Sequence, residues 1–399
     1  MVSRALQGKL LRRCERISSW ARSLEIQWGA LKPVDVVIFE LANIDYIWPL
    51  CGRARVAPLE VTMTKLRLSW GVIFQWFLLL LRGTPLRAAY FAALVRQYSP
   101  RIVITYIDNS ELFYDIARAD HRRRRYLAIQ NAARYDVLEL TADAARCVFI
   151  PEFACFGEYE RDLYLGKGGR VDRFYPVGSL REAYFRRYRA NLAQAIEKER
   201  FDYDLCVVAE ASPGWDLRYP GFEDAVGRIA QFAVRLARER GLRLVIAGKR
   251  DATPQENRAD IHSVDAEVMW YEKYIGKDVR ITPRVREQFT TYRLISRSRL
   301  SLAMVSTALR EGLSRGDRAL FCNFSGNPLW DFCVDGIWSL KEDSYEAFAG
   351  RVMELLALSD EAYAAKTREM VRYVINDDDG NPTHVFLEKL IAEAVAGRA

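Results

Sequence analysis

The sequence predicts an α/β protein built from two Rossmann-like domains that face each other across a cleft. Short apolar runs of strand length alternate with helical patterns, first over residues 34–177 and again over residues 203–323. A charged helical stretch at residues 181–200 separates the two series, and no sequence repeat relates them. A chain of 399 residues is long enough for two such domains.

The first series is typical of a doubly wound parallel sheet. The run VDVVIF at residues 34–39 follows a proline and is almost entirely apolar, as expected for a strand buried on both faces. The other predicted strands are residues 101–106, 126–130, 147–150 and 174–177, and the predicted helices are residues 63–82, 85–98 and 111–119.

The second series repeats this alternation, and ligands of such sheets bind beyond the carboxyl ends of the strands. The predicted strands are residues 203–209, 242–247, 300–305 and 319–323, and the predicted helices are residues 221–240, 285–296, 308–314, 345–358, 360–374 and 382–395.

Composition and charge limit the classes of function. The formal net charge of +7 suits an acidic ligand or an anionic surface, whereas no basic stripe with interleaved aromatic residues predicts a nucleic-acid partner. The seven cysteines are scattered without a CxxC, and there are three histidines, which argues against a zinc site and a disulfide framework. With no evident signal peptide, these features predict a cytoplasmic protein.

The strongest local pattern is the loop Val305-Ser306-Thr307, where an apolar strand ends and a helix begins. The first-turn amides of a helix carry partial positive charge and bind phosphate, and the hydroxyls of Ser306 and Thr307 add hydrogen bonds. Glu311 lies one turn later on the same face, where it can accept hydrogen bonds from a ribose. Alternatively, Ser306 or Thr307 only caps the helix and Glu311 is a solvated helical residue.

Two further segments of the second half are candidates for donor binding. Gly248, Lys249 and Arg250 follow a strand, so that positive charge lies at the carboxyl edge of the sheet, where it suits a diphosphate or a carboxylated sugar. A basic surface loop is the alternative interpretation. Glu210 and Ser212 follow the first strand of this half and are expected at the same edge.

In the first half, the segment after the strand RIVITY contains Asp108 and Asn109. A carboxylate at this edge is placed as a general base for an acceptor hydroxyl must be, and Glu158, after a later strand, is the rival base. Both Asp108 and Asn109 also favour turns, which is the alternative interpretation. The candidates for acceptor binding are Asn109, Gln130, Asn131 and Arg134.

Several known motifs are absent from the sequence. No GxxxxGKS/T, GxGxxG or HExxH pattern occurs, which disfavours a P-loop kinase, a nicotinamide dehydrogenase and a zinc protease. The run Asp377-Asp378-Asp379 resembles a metal cluster, but it precedes Gly380-Asn-Pro382 and is interpreted as a turn before the last helix.

Seven short motifs, in their order and spacing, resemble those of bacterial surface-carbohydrate biosynthesis transferases. They are ITYIDNS at residues 104–110, AIQN at 128–131, FGEY at 156–159, YPVGS at 175–179, Ser306-Thr307 with Glu311, LFCN at 320–323 and DGIWS at 335–339. This family is similar to GT-B glycosyltransferases, including those that build capsule and O-antigen from CMP-activated keto-sugar acids.

The resemblance implies an organisation and an activity. Residues 1–183 would bind the acceptor, residues 184–383 would bind the nucleotide sugar, and residues 384–399 would form a helix that returns to the first domain. The expected enzyme is a metal-independent glycosyltransferase that moves a sugar, such as Kdo or a nonulosonate, to a growing surface polysaccharide (lipopolysaccharide, O-antigen or capsule) or to a lipid-linked acceptor. No cofactor is expected, and the donor substrate is a nucleotide sugar, with a CMP-sugar favoured over a UDP- or GDP-sugar.

Three alternatives stay open at this point. Many CMP-sugar enzymes carry a His-Pro pair, and this sequence has no His-Pro dipeptide, so the donor is not determined. An enzyme of the same fold that hydrolyses or epimerises a nucleotide sugar is one rival function. A non-catalytic polysaccharide assembly protein is the other.

The apolar run Trp70–Leu81 raises the question of membrane contact. Its twelve residues span roughly 18 Å as a helix, which is too short to cross the hydrocarbon core. Together with the basic residues Arg4, Lys9, Arg12, Arg13, Arg16 and Arg22, the run predicts peripheral contact with the inner face of the membrane. The alternative is a buried core helix beside a solvated basic helix.

Overall fold

The computed structural model describes residues 25–61, 65–134, 148–193, 201–210, 216, 219–252, 263–277, 279–376 and 382–397. These residues form two six-stranded parallel sheets, one in each half of the chain, and a two-stranded sheet near the start. The predicted fold class is confirmed, since both sheets are parallel throughout and are separated in sequence as expected.

The sheet of the first half has the strand order β3-β2-β5-β6-β7-β8, and β1 pairs with β4 in the two-stranded sheet. The strands are β1 (Glu25–Trp28), β2 (Val36–Phe39), β3 (Val56–Leu59), β4 (Lys65–Leu68), β5 (Ile102–Thr105), β6 (Arg125–Ile129), β7 (Phe149–Cys155) and β8 (Arg170–Pro176). Every residue of β2 and β5 is buried, because apolar clusters cover both faces of the sheet.

The helices of the first half follow the strands they connect. They are α1 (Ile44–Ile47), α2 (Trp70–Leu81), α3 (Leu86–Tyr98), α4 (Glu111–Asp120), α5 (Glu158–Gly166) and α6 (Leu180–Ala193). Ser110 caps α4 by accepting a hydrogen bond from the N–H of Phe113, so the turn after β5 leads directly into a helix.

The sheet of the second half has the order β11-β10-β9-β12-β13-β14, which is the dinucleotide-fold order. Its strands are β9 (Tyr203–Val208), β10 (Leu244–Asp251), β11 (Ile281–Arg284), β12 (Ser298–Ala303), β13 (Ala319–Cys322) and β14 (Ser339–Leu340). Its helices are α7 (Phe222–Arg240), α8 (Val264–Ile275), α9 (Thr290–Ser296), α10 (Thr307–Leu313), α11 (Tyr345–Ala357) and α12 (Asp360–Val374).

The last helix, α13 (Thr383–Ala396), returns to the first half. Its Leu387 and Ile391 are buried in the same apolar cluster as Val36 and Ile104 of the first sheet. The expected C-terminal helix that crosses back is therefore present, and the two-domain arrangement is of the GT-B type. Among the described residues, no helix combines the length and apolar character needed to cross a bilayer.

Two predicted helices are wrong in their extent. The predicted helix at residues 63–82 begins only at Trp70, because Ser69 caps α2 and the preceding KLRL segment, which alternates polar and apolar residues, is strand β4. The predicted helix at residues 285–296 is divided by Phe289, whose φ of 48° is left-handed.

Other elements were not predicted from the sequence. They are β1, β3, β11, β14, α1, α5 and α8. The predicted domain boundaries stay predictions: the first, at residue 183, lies inside α6, and the second, at residue 383, lies at the first residue of α13.

Gly157 allows the end of α12 to pack against the start of α5. A Cβ atom there would meet the carbonyl oxygen of Tyr373 and would lie 2.8 Å from the carbonyl carbon of Val374. Both neighbours are backbone atoms, so they cannot turn aside as a side chain can. We expect Gly157→Ala to lower the free energy of unfolding by about 1–3 kcal/mol in denaturant titrations.

Gly166→Ala is the matched control, because nothing lies within 4 Å of the Cβ position at Gly166. Equal stability of the two variants would contradict a close contact between α5 and α12.

Candidate functional site

The carboxyl edges of the two sheets are in direct contact. The strand order reverses between β2 and β5 in the first sheet and between β9 and β12 in the second, and ligands of such sheets bind beside this reversal. The Oγ1 atom of Thr307, which follows β12, accepts a hydrogen bond of 3.0 Å from the N–H of Ala133, which follows β6.

A buried ion pair joins the two halves beside this contact. The guanidinium of Arg310 on α10 lies 2.8 Å from a carboxylate oxygen of Glu160 on α5, and the two side chains are 1% and 0% exposed. The Nε2 of Gln130 donates to Glu160 at 3.0 Å, and its Oε1 accepts from the N–H of Phe156 at 2.7 Å. Gln130, which was predicted to bind the acceptor substrate, thus forms its hydrogen bonds inside the protein.

Asp108 is buried and paired rather than open to the cleft. Its carboxylate accepts from Nε and Nη2 of Arg134 at 2.9 and 2.5 Å, and from the N–H of Asn131 at 3.2 Å. This arrangement argues against a free general base at Asp108, because Arg134 engages both carboxylate oxygens. It also removes Arg134 from the groups that are open to an acceptor.

The other candidates of the first half lie closer to solvent. Asn109 is exposed. Glu158, the first residue of α5, forms an ion pair with Arg161 at 2.7 Å, and its side chain is 40% exposed. The assignments of catalysis and acceptor binding to these residues stay predictions.

Glu210 lies at the point where the strand order of the second sheet reverses, between β9 and β12. Its carboxylate accepts hydrogen bonds from the N–H groups of Met304 and Val305, at 2.6 and 2.8 Å, and so fixes the end of β12. Burial raises the pKa of Glu210 to about 7, although the two amides oppose this shift. Ser212, its predicted neighbour in donor binding, lies outside the described residues.

The basic segment lies within the last residues of β10, not after the strand as predicted, and is held by a buried carboxylate. Glu267 on α8 accepts hydrogen bonds from the N–H groups of Lys249 and Arg250, at 3.0 and 3.1 Å. A Cβ atom at Gly248 would lie 2.9 Å from the carbonyl oxygen of Thr282 and 3.1 Å from Glu267. The glycine therefore permits packing inside the domain. Burial lowers the pKa of Lys249.

The start of α10 has the predicted cap. The Oγ of Ser306 accepts a hydrogen bond from the N–H of Leu309 at 3.3 Å, while Thr307 contacts the other half as described above. Glu311 is fully buried, and its two carboxylate oxygens accept hydrogen bonds from the hydroxyls of Ser179 and Tyr292. Glu311 thus accepts hydrogen bonds from both halves, so the alternative of a solvated helical residue is wrong.

Glu40 is a candidate that sequence reasoning missed. It follows β2 at the reversal point of the first sheet, with a left-handed φ of 67°. Its Oε1 accepts from the Ser110 hydroxyl at 2.9 Å, whereas its buried Oε2 has no hydrogen-bond partner in the described chain. Burial raises the pKa of Glu40. Its position directly after the apolar run VVIF was the available signal.

Arg181 is a second missed candidate. Its guanidinium carbon lies 5.7 Å from the ring centroid of Tyr46 and 6.0 Å from that of Tyr106, and no described carboxylate forms an ion pair with it. Arg286 of the second half approaches the same Tyr46 ring at 5.3 Å. Two cations from opposite halves therefore lie beside one tyrosine at the contact between the sheets.

Comparisons with known proteins agree with this architecture. No family model matches the sequence, and no curated protein is similar to it in sequence. Among solved structures, the chain is similar to a protein of Listeria monocytogenes assigned as a UDP-N-acetylglucosamine 2-epimerase, with a TM-score of 0.50, 8% identity and coverage of 92% of this chain and 96% of that one. That likeness concerns the fold.

A polymerase and a synthase are also among the similar structures. The wall teichoic acid polymerase TagF has a TM-score of 0.49 and 11% identity, with 92% of this chain and 90% of that chain covered. A sucrose-phosphate synthase from Thermosynechococcus elongatus has a TM-score of 0.47 and 13% identity, with 92% and 98% covered.

The raised pKa of Glu210 predicts a pH-dependent stability. Its value of about 7 lies above the ordinary 4.5, so between these two pH values the folded protein binds a proton that the unfolded chain releases. The stabilisation from this bound proton is lost as the pH rises through 7. Glu210→Gln removes the titration. We expect the unfolding free energy of the variant, relative to wild type, to rise by about 2 kcal/mol between about pH 5 and about pH 8.

Denaturant titrations at the two pH values measure this difference. Any constant loss from the weaker hydrogen bonds of Gln cancels in the comparison. A relative stability that does not change with pH would contradict the shifted pKa.

Proposed function

We propose that the protein transfers a sugar from a nucleotide-activated donor to a carbohydrate or lipid-linked acceptor. The observation that carries the proposal is the direct contact between the two carboxyl edges, where cations of both halves lie beside Tyr46 and one oxygen of the Glu40 carboxylate has no hydrogen-bond partner in the described chain. A transfer between two substrates needs this arrangement, because the donor phosphate and the acceptor hydroxyl must both be held beside one sugar carbon.

The donor phosphate would bind at the start of α10. The Ser306 hydroxyl accepts from Leu309 and still has its proton to donate to a phosphate oxygen. Lys249 and Arg181 would add positive charge as the bond to phosphate breaks and negative charge develops there. Glu210 and Glu267 would act indirectly, since they hold the backbone from which these groups project.

The acceptor hydroxyl would be deprotonated by Glu40. A general base needs a free oxygen, and the Oε2 of Glu40 has no hydrogen-bond partner in the described chain, while burial raises the pKa of this carboxyl. Asp108 would position the neighbouring loop through Arg134. Glu158 stays the rival base.

The identity of the substrates is the finer part of the proposal. Arg181 and Arg286 flanking Tyr46 suit a sugar that carries its own carboxylate, such as a keto-sugar acid supplied as a CMP-sugar. The motif resemblance favours a growing surface polysaccharide as the acceptor. Transfer without a metal ion belongs to the same proposal.

Nucleotide binding tests the donor site. Calorimetry with CMP, UDP and GDP identifies the base, and Ser306→Ala should weaken the binding of that nucleotide by about tenfold, the loss of one charge-assisted hydrogen bond. Ser344→Ala is the matched control, because Ser344 caps α11 in the same way, with a 3.2 Å hydrogen bond from Ala347. Equal affinity in both variants would remove Ser306 from the phosphate site.

Turnover tests the base. We expect Glu40→Gln to lower kcat by about a hundredfold or more with little change in KM, since the amide cannot accept the proton. Glu158→Gln should retain wild-type turnover. For both variants, turnover is measured as the rate at which nucleotide is released from the donor, with and without a membrane-lipid extract as acceptor.

The same assay separates the rival functions. Release that depends on the acceptor indicates transfer, whereas free sugar without an acceptor indicates hydrolysis, and a changed sugar on an intact nucleotide indicates epimerisation. Loss of turnover in Glu158→Gln rather than Glu40→Gln would assign the base to Glu158.

A further inference from the structure

Helix α2 carries a continuous apolar stripe on the outside of the molecule. Trp70, Phe74, Phe77 and Leu81, at the spacing of one helix face, are 78%, 60%, 57% and 69% exposed. The opposite face, with Val72 and Leu79, is buried in the core of the first half. The helix is therefore anchored by one face while large apolar side chains remain in contact with water on the other.

Neighbouring elements extend this stripe into a patch. Trp28 on β1 is 56% exposed, and its ring lies edge-on to that of Trp70, at a centroid distance of 5.3 Å. Leu86, at the start of α3, is 65% exposed. We call Trp28, Leu86 and the four stripe residues the α2 patch. Clusters of exposed aromatic and aliphatic residues of this size mark an interaction site.

The charge around the patch indicates the kind of partner. Between Glu60 and Asp108 the sequence has no Asp or Glu, but it has six Lys or Arg residues. Of these, Arg82 directly follows the stripe and Arg87 directly follows Leu86, and both are exposed. Residues 1–24, which lead into β1, contain six further Lys or Arg and one Glu.

We infer that the α2 patch docks the protein on the surface of an anionic phospholipid bilayer. Tryptophan and phenylalanine side chains enter the boundary between headgroups and acyl chains, while lysine and arginine side chains at the edge contact anionic headgroups. A protein partner would not require this one-sided charge, whereas an anionic lipid surface does. The inference does not depend on the proposed transfer reaction.

Vesicle binding by the full-length protein tests the inference. The wild type should cosediment at low salt with vesicles of phosphatidylcholine and phosphatidylglycerol, and weakly with phosphatidylcholine alone. The variant Phe74→Glu/Phe77→Glu should lose roughly tenfold or more in binding, because two apolar side chains no longer enter the bilayer.

The matched control is Leu165→Glu/Met269→Glu, with the same change of charge at residues that are 55% and 67% exposed outside the patch. It should bind as the wild type does. Equal loss in both double variants would overturn the inference, as would the absence of wild-type binding. A wild-type dimer that becomes a monomer in Phe74→Glu/Phe77→Glu, without vesicle binding, would instead assign the patch to a second copy of the chain.

A second measurement does not depend on the folding of the charged variants. Lipids brominated on their acyl chains should quench the fluorescence of the bound wild type, and Trp70→Phe should remove a large part of that quenching. Cosedimentation without quenching would show binding by charge alone and would overturn insertion of the patch.

Discussion

The buried ion pair between Arg310 and Glu160 is the interaction on which the arrangement of the two halves depends. A charge placed in the interior is costly unless it is paired and hydrogen-bonded, and here Gln130 and the carbonyl oxygen of Val374 complete the partners of the pair. Separation of the halves at this point would leave two charges to be solvated anew. The pair therefore sets the distance between the carboxyl edges, where Thr307 meets Ala133.

The carboxylates at these edges divide into two kinds. Glu210, Glu267 and Glu311 are buried and hold backbone amides or hydroxyls, so their charge shapes the site without facing a ligand. Glu40 differs, because one of its oxygens has no partner and its backbone is left-handed. A strained, unsatisfied residue at a sheet reversal is costly to maintain, which favours a role in the reaction rather than in folding.

One residue, Arg87, connects the proposed base with the α2 patch. Arg87 acts electrostatically on Glu40, and it follows Leu86 of the patch directly in sequence. The two proposals together would place a lipid-linked acceptor on the side of the protein that carries Arg87. The two proposals together would account for both the exposed face of α2 and the unpartnered oxygen of Glu40.

The sequence by itself determined the two parallel sheets, because continuous apolar runs such as VVIF at residues 36–39 are typical of strands buried on both faces, and it placed Ser306 at a helix start through local capping chemistry. Short strands such as β11 and β14 lack that signal, since their partners in the sheet decide their conformation. Only the tertiary structure decided which polar residues are open. Asp108 and Glu311 are occupied by Arg134, Ser179 and Tyr292, which are distant in sequence, whereas one oxygen of Glu40 has no hydrogen-bond partner in the described chain, and no local pattern contains those contacts.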